Sequence, residues 1–166
     1  MDLTLQWISA AALEAELVND RERLGRAIDA TVGEWPPEDG EWDLDAVRFF
    51  HELLNGASFE VGWTAAYVSL DGRLVASGGF LGRPDSEGEV EIGFSVCRSE
   101  RRRGVATALV ARLCSIAADR GCASVRARTT TQNAGALATL RSNSFTPAPP
   151  GLLVHATSIL LRRQLQ

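Results

Sequence analysis

Seven residues, Arg101-Arg102-Arg103-Gly104-Val105-Ala106-Thr107, have the types and spacing to hold an anion. They follow an alternating segment and precede apolar residues at helical spacing, so they stand where a strand hands over to a helix. A helix start leaves backbone N–H groups unpaired and carries a partial positive charge. Together these make an anion site. Gly104 lets a phosphate approach the main chain closely, and Ala106 keeps the next turn small. Arg101, Arg102 and Arg103 add charge at the mouth, with at least one expected to reach a phosphate as a charge-assisted donor. Taken alone, a run of three arginines reads as a solvated basic turn before an ordinary amphipathic helix. The patterns Gly-x-Gly-x-x-Gly and Gly-x-x-x-x-Gly-Lys-Ser/Thr, which mark dinucleotide and nucleotide-triphosphate sites, are both absent.

The elements that must position this turn are legible on either side of it. Leu3 to Trp7 alternates as a first strand, and Ser9 caps a helix through Ala11, Leu13 and Leu17. A second helix is expected over about Glu22 to Ala30. Gly33 to Gly40 holds two prolines and two glycines, which cannot sit inside one helix. Asp43 or Asp45 then opens a helix with Val47, Phe50, Leu53 and Leu54 on one face. Thr64 to Leu70, the turn Asp71-Gly72 and Leu74 to Phe80 form a hairpin. Gly82 to Gly88 is a polar turn. Along Glu89 to Val96, residues Val90, Ile92, Phe94 and Val96 face one way and Glu89, Glu91, Gly93 and Ser95 the other. Val105, Leu109, Leu113 and Ile116 recur at helical spacing, and Gly121 stops that helix. A strand over Ser124 to Thr129 and a helix over Asn133 to Asn143 follow, the latter with Leu137 and Leu140 inward. Pro147, Pro149 and Pro150 mark a loop, and Leu152 to Leu161 supplies the last strand or strands. The order gives a mixed α/β layer architecture, and without repeat or linker it is expected to form a single domain over 1–166.

Bulk properties narrow the function class. Apolar residues make up 45% of the 166, enough for a full core, and the net charge of −4 argues against a nucleic-acid partner. It suits a cationic substrate such as an amine. Cys97, Cys114 and Cys122 lack the short spacing of a metal knuckle, and His51 and His155 stand far apart, so no metal is expected. Met1-Asp2-Leu3-Thr4 does not open a signal peptide, so a reducing, cytoplasmic setting is expected. No apolar run approaches the roughly 20 residues that span a bilayer, so no membrane role is expected.

The Arg101–Thr107 turn resembles motif A of the GNAT superfamily of N-acetyltransferases, Gln/Arg-x-x-Gly-x-Gly/Ala, satisfied by Arg101, Gly104 and Ala106. Further features fall in the family's order. Glu91 to Val96 resembles the strand before the motif, and Leu109 to Gly121 the helix after it. Asn133 to Phe145 is similar to Asn-x-x-Ala/Ser-x-x-x-Leu/Tyr-x-x-x-Gly-Phe. Gly78-Gly79-Phe80 and Trp35-Pro36 resemble the branch that includes ribosomal-protein N-terminal acetyltransferases and their small-molecule relatives. The ordered set covers about Leu74 to Phe145.

The resemblance implies a mostly antiparallel mixed sheet with helices on both faces. It implies acetyl-CoA as co-substrate, lying between splayed central strands that correspond to Glu89–Val96 and Ser124–Thr129. Main-chain N–H groups of about Arg101 to Thr107, Val105 among them, would hold the pyrophosphate. Phe94, Ser95 and Val96 would line the reactive end, a backbone N–H near Val96 polarising the thioester carbonyl. Asn133 matches the residue that bonds the CoA arm, and by type it is equally a helix N-cap. The acceptor, a small-molecule amine or a protein N-terminus, attacks directly in a ternary complex. It must lose a proton, since free amines titrate near ~8 to ~10. Glu91 holds a family-typical position for the base, a role contributing about 10²–10⁴-fold; by residue type alone it is a solvated carboxylate on an open sheet face.

The chain departs from the family at the acid. Leu140 stands where many members place tyrosine, Ala136 where the branch has serine, and Ser144 where a glycine precedes Phe145. Thr139 and Ser142 are weak replacements, and Tyr67 lies on a distant strand. These departures motivate a rival reading as a CoA-binding sensor that has lost catalysis; a transferase for longer acyl groups is another. Trp35 and Trp42 flank an acidic loop with Glu34, Glu38, Asp39 and Glu41, either an amine-recognising lid or, the preferred reading, a loop pinned by two tryptophans. Cys97 is taken as a small apolar filler. The apolar Leu152–Leu161 needs cover, which a homodimer through terminal strands provides.

Overall fold

The computed structural model describes residues 1–38, 40, 42–56, 59–148 and 157–165. Its elements are β1 Leu3–Trp7, α1 Ala10–Leu17, α2 Arg21–Ile28, α3 Leu44–Leu54, β2 Ala65–Leu70, β3 Arg73–Phe80 and β4 Glu89–Val96. A 3₁₀ turn at Arg98–Glu100 leads into α4 Val105–Asp119, followed by β5 Ser124–Thr130, α5 Ala134–Ser142, β6 Thr146–Pro147 and β7 Ser158–Gln164. The strands form a seven-stranded sheet in the order β1-β2-β3-β4-β5-β7-β6. β4 and β5 run parallel, while β1/β2, β2/β3, β5/β7 and β6/β7 are antiparallel. The expected mixed, mostly antiparallel sheet is the one observed.

Local chemistry explains most boundaries. Ser9, Asp20 and Asp43 each accept a backbone N–H three residues on, from Ala12, Arg23 and Ala46. Such caps stabilise a helix start by about 1 kcal/mol. Asp43, rather than Asp45, is therefore the cap of α3. The expected second helix begins one residue earlier and stops at Ile28, because Asp29 turns left-handed at φ 50°. Pro147 pairs with Leu161 in a two-residue strand, where a loop was expected. The last strand runs from Ser158 to Gln164, later than Leu152 to Leu161. Residues 149–156, including Pro149, Pro150 and His155, lie outside the described residues.

The chain divides into two compact units, Met1–Gly79 with Phe94–Val105 and Phe80–Gly93 with Ala106–Gln166. In the first, Leu13 and Ala15 of α1, Leu24 and Ile28 of α2, and Val47 and Phe50 of α3 form one buried cluster with Trp35, Trp42, Tyr67 and Leu74. In the second, Leu109 and Leu113 of α4, Val125 and Ala127 of β5, and Leu140 of α5 are buried. The parallel β4/β5 register runs from Glu89↔Ser124 to Ile92↔Ala127 and stops there. β5 keeps pairing with β7 as far as Thr130↔Ser158.

A half-buried carboxylate lies against the first unit's aromatic cluster. The Glu16 carboxylate accepts the Trp35 indole N–H at 2.8 Å, the Trp42 indole N–H at 3.1 Å and the Tyr67 hydroxyl at 2.5 Å. The three rings lie within 5.5 to 6.1 Å of one another. Burial raises the Glu16 carboxyl above its ordinary 4.5, and the three donors lower it only in part. A carboxyl raised on folding binds protons more tightly in the native state, so its ionisation lowers stability as pH rises. Relative to Glu16→Gln, the natural protein is therefore expected to lose stability as pH climbs from about 4.5 through the raised native value, and to level off above it. Urea unfolding across that window checks this; a difference that grows with pH is the contrary result.

Candidate functional site

The sequence-predicted residues occur in both units. Phe94 to Val105 belongs to the first. Phe94 and Ser95 are half-buried and Val96 is buried at the end of β4. Arg101 follows the 3₁₀ turn and points back, its Nε donating to the Val96 carbonyl at 3.0 Å. A second guanidinium nitrogen donates to the Glu38 carbonyl. Arg103 pairs with Glu100 at 2.8 Å, and Arg73 reaches the same carboxylate at 3.1 Å. Glu100 is buried, so these arginines supply its counter-charge. Two of the three expected anion-binding arginines thus brace the turn itself. Arg102 is exposed and has no side-chain partner among the described residues.

The backbone here takes an uncommon path. Arg102 has φ 62° and Gly104 φ 83°, in the left-handed region that favours glycine. No atom lies within 4 Å of where a Gly104 Cβ would stand. Val105, only 1% exposed, anchors the helix start behind it. The turn therefore offers open space, backbone N–H groups at a helix start and one uncommitted guanidinium, a donor set suited to a phosphate.

The loop after Thr31 is fastened to this segment. Glu34 accepts the N–H of Arg98 at 2.7 Å on one carboxylate oxygen and that of Ser99 at 3.1 Å on the other. The Ser99 bonds and, less strongly, the Arg98 N–H hold its carboxyl below the ordinary value. The Cys97 thiol donates to the Glu34 carbonyl at 2.9 Å. Burial, then the neighbouring Glu34 charge, pushes that thiol up to about 12. It stays protonated at neutral pH and is no nucleophile. The tryptophans flanking the loop are each 5% exposed, the pinned arrangement preferred above. A cavity of about 250 Å³ lies in the same unit, with Glu16, Arg21, Leu24, Trp35 and Val47 among its walls.

Glu91, Ala106, Thr107 and Asn133 belong to the second unit. The parallel register sets Glu89 beside Ser124 and Glu91 beside Arg126. Arg126 Nε donates to Glu91 at 2.9 Å, and Arg128 Nε lies 3.5 Å from the other carboxylate oxygen. Glu91 is thus held between guanidinium groups, not solvated on an open face. Glu89 is buried beside it and accepts from Ser124 at 3.0 Å, Arg126 at 3.2 Å and Arg162 at 2.9 Å. Burial pushes its carboxyl up, but these donors outweigh burial and hold it below the ordinary value.

Asn133 caps α5, its Oδ1 accepting the Ala136 N–H at 3.0 Å. Its amide NH₂ has no partner among the described residues. Thr107 is exposed, while its carbonyl accepts from Asn143 at 3.2 Å. Asn143 also reaches the Thr139 carbonyl at 3.0 Å, tying α5 to the first turn of α4. Leu140 is fully buried, and the Ser142 hydroxyl donates to the Thr139 carbonyl at 2.8 Å. Ser144 adopts φ 65°, the conformation of the glycine it replaces. Sequence reasoning overlooked Glu34 as a cap, Glu100 as a buried anchor and Asn143 as a tie. Only the acidic composition of the loop hinted at the first. Among the described residues no cluster of His, Cys, Asp and Glu could hold a metal ion, and no helix is long and apolar enough to cross a membrane.

Comparison with known proteins accords with this geometry. The "uncharacterized N-acetyltransferase YjdG" of Bacillus subtilis (strain 168) is 33% identical over 148 residues, 86% of this chain and 85% of that protein. The fold is similar to the ribosomal-protein-S18-alanine N-acetyltransferase from Escherichia coli, with TM-score 0.64 and 17% identity over 98% of this chain and 94% of that one. It is also similar to yncA from Salmonella typhimurium, described as a putative acetyltransferase with its cofactor acetyl-CoA, with TM-score 0.59 and 20% identity over 99% and 94% of the two chains. Residues 26–145 match the Acetyltransferase (GNAT) family, and with that match over most of its length the chain belongs to this family.

Proposed function

We propose that residues 1–166 act as one GNAT domain moving an acetyl group from acetyl-CoA to a primary amine, in a cytoplasmic setting. The observation that carries this is the start of α4: Arg102 and Gly104 both left-handed, open space over Gly104, and Arg102 without a side-chain partner among the described residues. Backbone N–H groups from Arg101 to Thr107 take the pyrophosphate, with Arg102 as the side-chain donor. Arg101 and Arg103 shape the turn that presents them. The main chain of Phe94 and Ser95 flanks the cofactor arm, and a backbone N–H near Val96 polarises the thioester carbonyl. Asn133 serves twice, its oxygen capping α5 and its NH₂ meeting the arm. Bound there, acetyl-CoA supplies the activated acetyl thioester.

Glu91 is the proposed base. To accept a proton it must loosen an ion pair, and the 3.5 Å Arg128 contact is the longer of its two. The protonated Cys97 favours direct transfer over a cysteine-bound acyl group. The acceptor is a small-molecule amine or a protein N-terminus, the latter being the substrate type named for the Escherichia coli neighbour. A second reading, a CoA-binding sensor, is favoured by the fully buried Leu140, which places no hydroxyl at the family's acid position.

Thiol release from acetyl-CoA with a broad amine panel tests the proposal. The chain has no lysine, so its own ε-amines add no background. Turnover on at least one amine is expected. Tight CoA binding without turnover supports the sensor, and turnover only with longer acyl-CoA redirects the acyl preference. Gly104→Val forces a branched side chain into a left-handed position, costing about 1–2 kcal/mol, and fills the space over the turn. Calorimetry should show CoA binding weakened by at least roughly tenfold; unchanged affinity removes the turn from the site. Glu91→Gln should slow acetylation more at low pH than at high pH. A pH–rate profile unmoved by that substitution rules Glu91 out as the base.

A further inference from the structure

The Glu34–Glu38 stretch and the Val96–Arg101 stretch are joined by side-chain and backbone bonds from both sides. Both lie in the first unit. The Glu34 carboxylate takes two backbone N–H groups of the 3₁₀ turn, one on each oxygen. Its carbonyl takes the Cys97 thiol. Glu38 pairs with Arg98 at 3.3 Å through its side chain and with Arg101 through its carbonyl. Arg101 then reaches the Val96 carbonyl. Further along, a Cβ on Gly40 would stand 2.1 Å from the Ser95 hydroxyl oxygen, so a larger residue there requires the Ser95 side chain to shift.

The loop is fixed independently at both ends. Thr31 exchanges backbone bonds with Gly72 and Leu74 at its start. Trp35 and Trp42 both donate to Glu16. Glu34 is thus a short arm from a loop anchored in the helical core to the turn that leads into α4. A carboxylate bonded to two N–H groups on separate oxygens transmits a shift of either partner, because each bond is directional and near 3 Å.

We infer that Glu34 is a positioning residue that couples the Glu34–Glu38 loop to the cofactor turn, so that CoA bound at the turn also steadies the loop. The inference rests on the transferase reading, since it needs CoA at that turn. No other group in the loop holds two backbone N–H donors of the turn among the described residues.

Hydrogen–deuterium exchange with coenzyme A itself as the probe tests it. In the natural protein, CoA should slow exchange of peptide 96–103 by about tenfold or more, and that of peptide 33–38 by at least about threefold. In Glu34→Gln, one acceptor position becomes an NH₂ donor facing a backbone N–H. At saturating CoA peptide 96–103 should still respond, while peptide 33–38 should not. Glu34→Asp keeps the carboxylate on a shorter arm and should restore part of the loop response, which distinguishes coupling from general loosening. A natural protein in which the turn responds and the loop does not overturns the coupling and leaves the cofactor reading standing. No response at the turn at any CoA concentration overturns the cofactor reading and the coupling with it. Should the glutamine variant fold poorly, the natural protein and Glu34→Asp still decide: a loop response weakened by the shorter arm supports the coupling, and one equal to that of the natural protein counts against Glu34.

Discussion

Glu16 puts a negative charge inside the helical unit and meets it with neutral donors only, two indoles and a phenol. A carboxylate half-withdrawn from water needs its lone pairs filled, and three donors from distant parts of the chain do this together. That requirement fixes Trp35 and Trp42, which flank the acidic loop, and Tyr67 on β2. With its flanks fixed, the loop can extend Glu34 to the backbone of Arg98 and Ser99. The turn so held then passes through two left-handed residues to the start of α4. The proposed anion site is thus linked, through the loop, to a carboxylate on α1 with which it shares no hydrogen bond among the described residues.

The second unit solves a different electrostatic problem. Glu89 and Glu91 sit on one face of β4, with Glu89 buried and Glu91 nearly so. Two carboxylates so close repel, and arginines from β5 and β7 compensate them. Arginine suits this position because its planar, fixed donors span both carboxylates from one side chain, as Arg126 does. The same pairing constrains chemistry. A carboxylate between guanidinium groups has both oxygens engaged, so an incoming group must displace one of those contacts.

The departures from the family acquire physical meanings in the fold. Leu140 fills the core of the second unit, so its apolar character serves packing. Ser144 keeps the left-handed backbone that glycine would adopt, at a modest conformational cost. Asn143 beside it bonds carbonyls of both α4 and α5 and holds the two helices together. The geometry of the Asn133–Phe145 segment is therefore preserved where its side-chain chemistry is not.

By itself, the sequence determined the elements and the family. Alternation along Glu89 to Val96, helical spacing from Val105 to Ile116 and caps such as Ser9 and Asn133 are local signals, and local backbone chemistry obeys them. The motif around Arg101, Gly104 and Ala106 was legible because glycine and small residues mark positions where a backbone must turn or be approached. Where side chains point was decided by tertiary structure. Three adjacent arginines look alike in sequence, yet Arg103 turns to Glu100 three residues back, Arg101 reaches both Val96 and the distant Glu38, and Arg102 has no side-chain partner among the described residues. Glu91 looked solvated until the parallel register brought Arg126 beside it. Partners separated by 35 and 64 residues, Glu91 with Arg126 and Glu34 with Arg98, leave no periodic trace in sequence, since only packing sets their distance.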